Sequence, residues 1–268
     1  MILQNLLNQQ LSQQLSWHLK QQRIVLVETS HPGNVGGAAR AIKTMGLQQL
    51  HLVRPRFADV LQHADALAFA SSATDVLERA QVHETLDTAL GDCQLTIALT
   101  SRNREFGPPV CDLHEAVAEV RKYLQQHPHA QIAWVLGSER YGLSNAQVQQ
   151  CQRLCTIPTN PDYSSLNLAQ AVQLVAYECR RQFLESTVVV DNALSERANQ
   201  AELTQLMTHL EQALIAVDFL NPQQPKKLMP RLQNLFARAD LTQEEIHILR
   251  GVCRAMIDTA NKSVTGDQ

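Results

Sequence analysis

Residues 23–46 read RIVLVETSHPGNVGGAARAIKTMG, and this stretch decides the fold. Arg23–Glu28 is short, apolar and rich in β-branched residues, the pattern of a strand buried on both faces. Thr29–Asn34 follows, with Pro32 and Gly33 as punctuation. Val35–Gly46 then reads as a small-residue helix closed by Gly46. The same grammar recurs downstream. Strands are predicted at Leu50–Val53, near Val82, and at Leu95–Thr100, Ile132–Gly137 and Cys155–Ile157. Helices are predicted around Leu61–Ala68, Thr85–Leu90, Leu113–Gln126 and Leu166–Leu184. Apolar strands alternating with helices predict an α/β fold, a parallel sheet with helices on both faces.

Outward from this core the texture changes on both sides. Residues 1–21 are Gln-rich, with Leu3, Leu6, Leu7, Leu11 and Leu15 at helical spacing. They form an N-terminal extension, read as a short amphipathic helix or a partly ordered segment. Strand signals stop at Thr187–Asn192, so the main domain is placed at 22–187 and a small helical domain at 188–268. Its helices are read at Ala193–Phe219, Lys226–Ala239 and Thr242–Lys262, the last opened by a capping box, Thr242-Gln243-Glu244-Glu245.

The 268 residues carry 23 Lys plus Arg and 26 Asp plus Glu, a net charge of -3, with 44% hydrophobic residues. That is the mix of a folded, water-soluble chain and excludes a uniformly basic nucleic-acid coat. No apolar run reaches the roughly 20 residues needed to cross a bilayer. No secretory signal is recognisable at the N-terminus. Six cysteines lack zinc or thioredoxin spacing and read as reduced cytosolic thiols, so a cytoplasmic location is expected.

In an open α/β sheet, ligands bind at the carboxyl ends of the strands. Three segments there carry glycines and polar side chains. The first is Glu28–Arg40, where Asn34 can cap the helix and Arg40 lies about two turns in, beyond alanines too small to shield it. Gly33, Gly36 and Gly37 do not have the dinucleotide spacing, and no Walker loop is present. The second is Leu136–Leu143, in which Gly137 and Gly142 flank Glu139 and Arg140. The third is Ile157–Leu168, a Pro-stiffened loop with Ser164 and Ser165 where a helix begins, and Asn167 beyond. A fourth, shorter segment is Thr100-Ser101-Arg102. Each segment alone is equally compatible with an ordinary turn, a helix cap or a surface ion pair.

As an ordered set the segments say more. RIVLVETSHPGNVGGAARAIKTMGL, VLGSERYGLSN and IPTNPDYSSLNLAQAVQLVAYE resemble the three motifs of the SPOUT methyltransferases, in the branch of the tRNA 2′-O-ribose methyltransferases. The likeness runs from about Arg23 to Leu184. The tail PKKLMPRLQNLFARADLTQEEIHILRG, from Pro225 to Gly251, is similar to the helical extension of the bacterial enzymes that modify the first nucleotide of the tRNA anticodon loop, position 32.

The resemblance implies a C-terminal trefoil knot whose loops hold S-adenosylmethionine. The cofactor-binding residues would be Thr100, Ser101, Arg102, Leu136, Gly137, Glu139, Gly142, Ile157, Ser164, Ser165 and Leu166. No metal is implied. The reaction would carry a methyl group from sulfonium to a ribose 2′-hydroxyl of cytidine or uridine, whose proton leaves as the bond forms. Arg40, Asn34, Ser165 and Asn167 would be the catalytic set. A guanidinium stays charged, so Arg40 is read as phosphate clamp and hydroxyl polariser rather than as a base. A homodimer is implied, with motif one of one protomer facing the knot of the other. Helices Val35–Met45 and Leu166–Leu184 are interface candidates, with core packing as their plain alternative. Lys226, Lys227, Arg231 and Arg238 form a candidate tRNA phosphate stripe, extended by Arg102 and Arg104. The alternatives are ribosomal RNA or another tRNA position as substrate, and a non-catalytic RNA-binding module. A nucleotide-binding regulator is disfavoured by the missing phosphate loops.

Overall fold

A computed structural model describes residues 16–101, 107–184, 197–224 and 226–265. Seven strands form one parallel sheet: β1 (Gln22–Val27), β2 (Gln49–Val53), β3 (Gln81–His83), β4 (Cys93–Leu99), β5 (Val110–Asp112), β6 (Gln131–Leu136) and β7 (Arg153–Thr156). Their order across the sheet is β3-β2-β1-β6-β4-β7-β5. The helices are α1 (Pro32–Met45), α2 (Ala64–Ala70), α3 (Thr74–Glu78), α4 (Leu86–Leu90), α5 (Leu113–Gln126), α6 (Asn145–Gln149), α7 (Leu168–Leu184), α8 (Gln200–Ala216), α9 (Leu228–Ala239) and α10 (Gln243–Thr265).

Every residue of β1 is buried, and the two sides of the strand enter different cores. Ile24 and Leu26 pack with Trp134 under α1, α5 and α7. Val25 and Val27 pack with Val135, Leu90 and Val148 on the other face. Helices cover both faces, as the unbroken apolar runs predict. The charged Arg23 at the start of β1 is buried too, and Asp92 meets its guanidinium through two bonds of 2.7 Å.

Among the described residues, the predicted elements are present with shifts of boundary. Three short pieces, α3, β5 and α6, were not predicted. In β5 both Val110 and Asp112 are exposed, so the strand has no apolar periodicity to read. The helix predicted from Leu166 starts at Leu168 instead, because the Asn167 side chain accepts the backbone N–H of Ala169 at 2.9 Å and of Gln170 at 3.3 Å. Asn34 does not cap α1. That helix begins at Pro32, a residue suited to the first turn, and Asn34 lies inside it.

The small residues of α1 are spent within the chain. A β-carbon on Gly36 would sit 2.1 Å from the Ala66 carbonyl oxygen of α2, and one on Gly37 would sit 2.8 Å from the Ala169 Cβ of α7. Within the chain, close approach at these two glycines seats α1 between α2 and α7, the core packing given as the plain alternative for this helix.

Of the N-terminal extension, residues 16–21 are described, and they pack on the sheet domain. Leu19 is buried, and Trp17 Nε1 donates to the Pro128 carbonyl at 2.7 Å. The expected boundary at Thr187–Asn192 lies outside the described residues. Helices α8 and α10 share a core of Leu203, Leu206, Ala213, Ile246 and Cys253, and Phe236 of α9 packs against it. Thr242 and Glu245 form the expected capping box, with bonds of 2.7 and 3.2 Å. Arg153 of β7 ties this unit to the sheet. It bonds Glu119 of α5 at 2.8 Å and Asp240, after α9, at 2.9 Å, and Arg197 also reaches Asp240 at 2.9 Å. Among the described residues, no helix is long and apolar enough to cross a membrane.

Candidate functional site

At the carboxyl edge of the sheet, the loops after β4, β6 and β7 surround a cleft of about 850 Å³, part of it open to solvent. Thr100 and Ser101 line it from the β4 side. Leu136, Gly137, Glu139 and Gly142 line it from the β6 side. Ile157, Ser164, Ser165 and Leu166 line it from the β7 side. Every described member of the predicted cofactor set therefore borders one space. Arg102 and Arg104 lie outside the described residues.

The wall after β6 is a tight hairpin. Gly142 N–H donates to the Ser138 carbonyl at 2.8 Å, and Gly142 adopts φ +66°, where a side chain is strained. A β-carbon on Gly137 would lie 2.1 Å from the Gly142 carbonyl carbon, so the two arms close only over glycine. Leu143, buried, anchors the far end.

Glu139 is met by hydrogen-bond donors of its own chain. It turns toward the loop after β1. Its Oε2 accepts Ser30 N–H at 2.9 Å and Ser30 Oγ at 2.7 Å; its Oε1 accepts Asn34 Nδ2 at 2.9 Å and His31 N–H at 3.3 Å. Burial alone would push this carboxyl up. The donors from Asn34 and Ser30 outweigh it and hold the group below the usual carboxylate range. Asn34 continues the chain, since its Oδ1 accepts Asn167 Nδ2 at 2.8 Å. Three side chains, far apart in sequence, thus brace the loops after β1, β6 and β7 against one another. Asn34 and Asn167 were predicted as catalytic; the structure gives both a bracing bond, and Asn167 the cap of α7 as well.

Arg40 and Ser165 do not converge in one chain. Ser165 lines the cleft, whereas Arg40 projects, exposed, from α1 and is not among the lining residues. Lys226, Lys227, Arg231 and Arg238 are all exposed, as a phosphate stripe requires, although Lys226 and Lys227 precede α9 rather than lying in it. Sequence reasoning passed over Leu99, Thr159, Leu143 and Tyr141 in the cleft wall. Each sits within two residues of a predicted site residue, and that adjacency was the available signal.

The cleft can take a ligand that is part apolar and part polar. Leu99, Leu136, Ile157 and Leu166 supply the flat apolar part, and Thr100, Ser101, Thr159 and the two serines supply hydroxyls. Among the described residues, no group of three or more metal-ligating side chains is gathered.

Comparison with known proteins agrees with this geometry. The family model described as SpoU rRNA Methylase family matches residues 21–177, and the model of the TrmJ C-terminal domain matches residues 201–265. The chain is 42% identical over 244 residues to the tRNA (cytidine/uridine-2′-O-)-methyltransferase TrmJ of Klebsiella pneumoniae, covering 90% of this chain and 97% of that one. It is 41% identical over 242 residues to the tRNA (cytidine/uridine/adenosine-2′-O-)-methyltransferase TrmJ of Pseudomonas aeruginosa, covering 86% and 91%. Among solved structures, TrmJ from Z. mobilis ZM4 superposes with a TM-score of 0.75 at 33% identity, covering 87% of this chain and 98% of that one. A probable methyltransferase from Bordetella pertussis Tohama I has a TM-score of 0.60 at 52% identity, covering 63% and 99%. A parallel sheet with this cleft, matched over its length by one family model and over its tail by another, makes the chain a methyltransferase that belongs to the SpoU family.

Proposed function

We propose that this chain methylates the ribose 2′-hydroxyl of cytidine or uridine at position 32 of the tRNA anticodon loop, using S-adenosylmethionine, as a cytoplasmic homodimer. The observation that carries the reading is the bracing of three loops, through Glu139, Asn34 and Asn167, around a cleft of mixed polarity. The relatives' names supply the substrate class, since both curated enzymes are named for tRNA and for cytidine and uridine.

The cleft fits the cofactor's chemistry. Leu136, Ile157 and Leu166 would flank the adenine, and Thr100, Ser101, Ser164 and Ser165 offer hydroxyls to its polar groups. When bound, S-adenosylmethionine supplies a methyl group already activated by a positive sulfonium, so alignment is the protein's main task. The hairpin from Gly137 to Leu143 and the brace through Asn34 keep that alignment rigid. Arg40 would clamp the phosphate and polarise the hydroxyl that loses its proton. Its place outside its own chain's cleft favours delivery to the cleft of a second protomer. We assign the family's trefoil knot to the segment from β6 to the start of α7, and the basic residues 226, 227, 231 and 238 to tRNA backbone contacts. Residues 188–268 would then act as a tRNA-holding domain.

The test is mass spectrometry of ribose-methylated nucleosides in tRNA from cells with and without the protein. Loss of 2′-O-methylation at position 32, restored by the wild-type chain and not by Arg40→Ala, is expected. Unchanged tRNA with altered ribosomal RNA would overturn the substrate assignment.

A further inference from the structure

The hairpin after β6 has a second side. Across it from the donor cleft lies another open cleft, bordered by Glu28, Ser30, His31 and Arg56, with residues 138–141 shared between the two. The backbone is bent at Glu28, which lines this cleft, and at Arg54, which pairs with Glu28. Glu28 and Arg54 both adopt left-handed conformations, φ 54° and 45°, at the ends of β1 and β2. Non-glycine residues are held there only at a cost, and such strain gathers at functional sites. Each is fixed by one further ladder bond, Glu28 N–H to Val53 O at 2.8 Å and Arg54 N–H to His83 O at 3.0 Å, and an ion pair joins the two side chains.

The charge of this cleft is lopsided in use. Glu28 is paired with Arg54, and Glu139 has four donors on its two oxygens. The cations Arg56 and Arg140 have no carboxylate among their described ion pairs. At the rim Tyr141 is 65% exposed, with the Arg140 guanidinium 5.1 Å from its ring centre. An exposed aromatic ring flanked by cations, beside a strained and open backbone, is the chemistry that receives an unstacked nucleotide.

We propose that this second cleft seats the target nucleotide, its base stacked on Tyr141 and its flanking phosphates against Arg56 and Arg140. The inference rests on the methyltransferase reading above and names how that reaction's acceptor is positioned. The hairpin is then a partition, with the base on one side and the donor on the other. A stacked platform reads no base edge, so cytidine and uridine are accepted alike.

The test uses the full-length protein, tRNA transcripts bearing cytidine or uridine at the target position, and two substitutions at one site. Tyr141→Leu is expected to lower kcat/KM for tRNA by about tenfold or more, while Tyr141→Phe keeps it within about twofold. Tyr141 also borders the donor cleft, so affinity for S-adenosylmethionine is read by calorimetry in both variants, and in Tyr141→Leu kcat/KM for tRNA at saturating donor should fall several-fold more than that affinity does. Arg56→Gln should raise the KM for tRNA and flatten the dependence of log affinity on log salt by about one. Equal activity of Tyr141→Leu and wild type overturns the proposal, as does a loss that tracks weakened donor binding. A wild-type protein that neither binds the donor nor methylates tRNA overturns the functional reading itself.

Discussion

Gly137 is the residue at which the site is least forgiving. Its missing β-carbon leaves room for the carbonyl of Gly142, 2.1 Å from where that atom would stand. Gly137→Ala must therefore spread the hairpin. Calorimetry should show donor affinity down by at least about tenfold, with a stability loss of about 1–3 kcal/mol. Glu139 makes a different demand. Both of its oxygens accept, so Glu139→Gln places an amide donor against the donors of Asn34 or Ser30. Activity should fall, and Asn34→Asp, which sets a second carboxylate against Glu139 where a donor stood, should fall further than Asn34→Ala, which only removes the donor; thermal unfolding should separate loss of bracing from loss of chemistry. Sequence reading selected Glu139, Asn34 and Asn167 but not the bonds that join them. A polar residue's type and loop are visible in the chain, whereas its partner, 105 positions away for Asn34 and Glu139, is chosen by the fold.

At the scale of elements, the strands were legible because burial on both faces leaves them almost wholly apolar, and α5 was legible to the residue because it is amphipathic with a capping box at Asp112. α3, β5 and α6 were not legible, being five, three and five residues long and held by their neighbours rather than by their own pattern. The seam between α1 and α2 shows what pattern alone leaves out, since Gly36 is required by a carbonyl of another helix. Gly36→Ala should cost about 2 kcal/mol or more, seen as a drop in Tm without change in the spectrum of the folded state. Strand β2 adds a pH term. Burial, then the positive charge of Arg23 and of His83, pulls His51 down to about 3. His83 Nε2 lies 2.9 Å from His51 Nδ1, so the pair holds one proton between them in its neutral form. A histidine kept neutral in the folded state and protonated in the unfolded one stabilises fully above about pH 6.5 and loses that stability as pH falls toward 3. Denaturant titrations should show the loss, no more than about 5 kcal/mol from this residue, and His51→Leu should flatten it.

For the whole molecule, the decisive question is where Arg40 acts. Within its own chain it is exposed on α1 and borders neither cleft, while Ser165 lines the donor cleft. Under the proposed function, a phosphate clamp so placed would serve the cleft of the other protomer of the homodimer. The prediction is complementation between two inactive variants. Arg40→Ala keeps an intact cleft and lacks the clamp. Leu166→Arg fills the apolar slot and keeps the clamp. In a mixed dimer, one site combines the good cleft of the first chain with the good Arg40 of the second, and the other site carries both defects. Random pairing of equal amounts makes about half of the dimers mixed, each with one working site of two, so co-expressed chains should recover about a quarter of wild-type turnover. If Arg40 served its own cleft, every site in the mixed dimer would carry one defect and nothing would be recovered. The same mixture distinguishes a dimer that merely stabilises from one that completes the site, because stability alone returns no activity to two inactive chains.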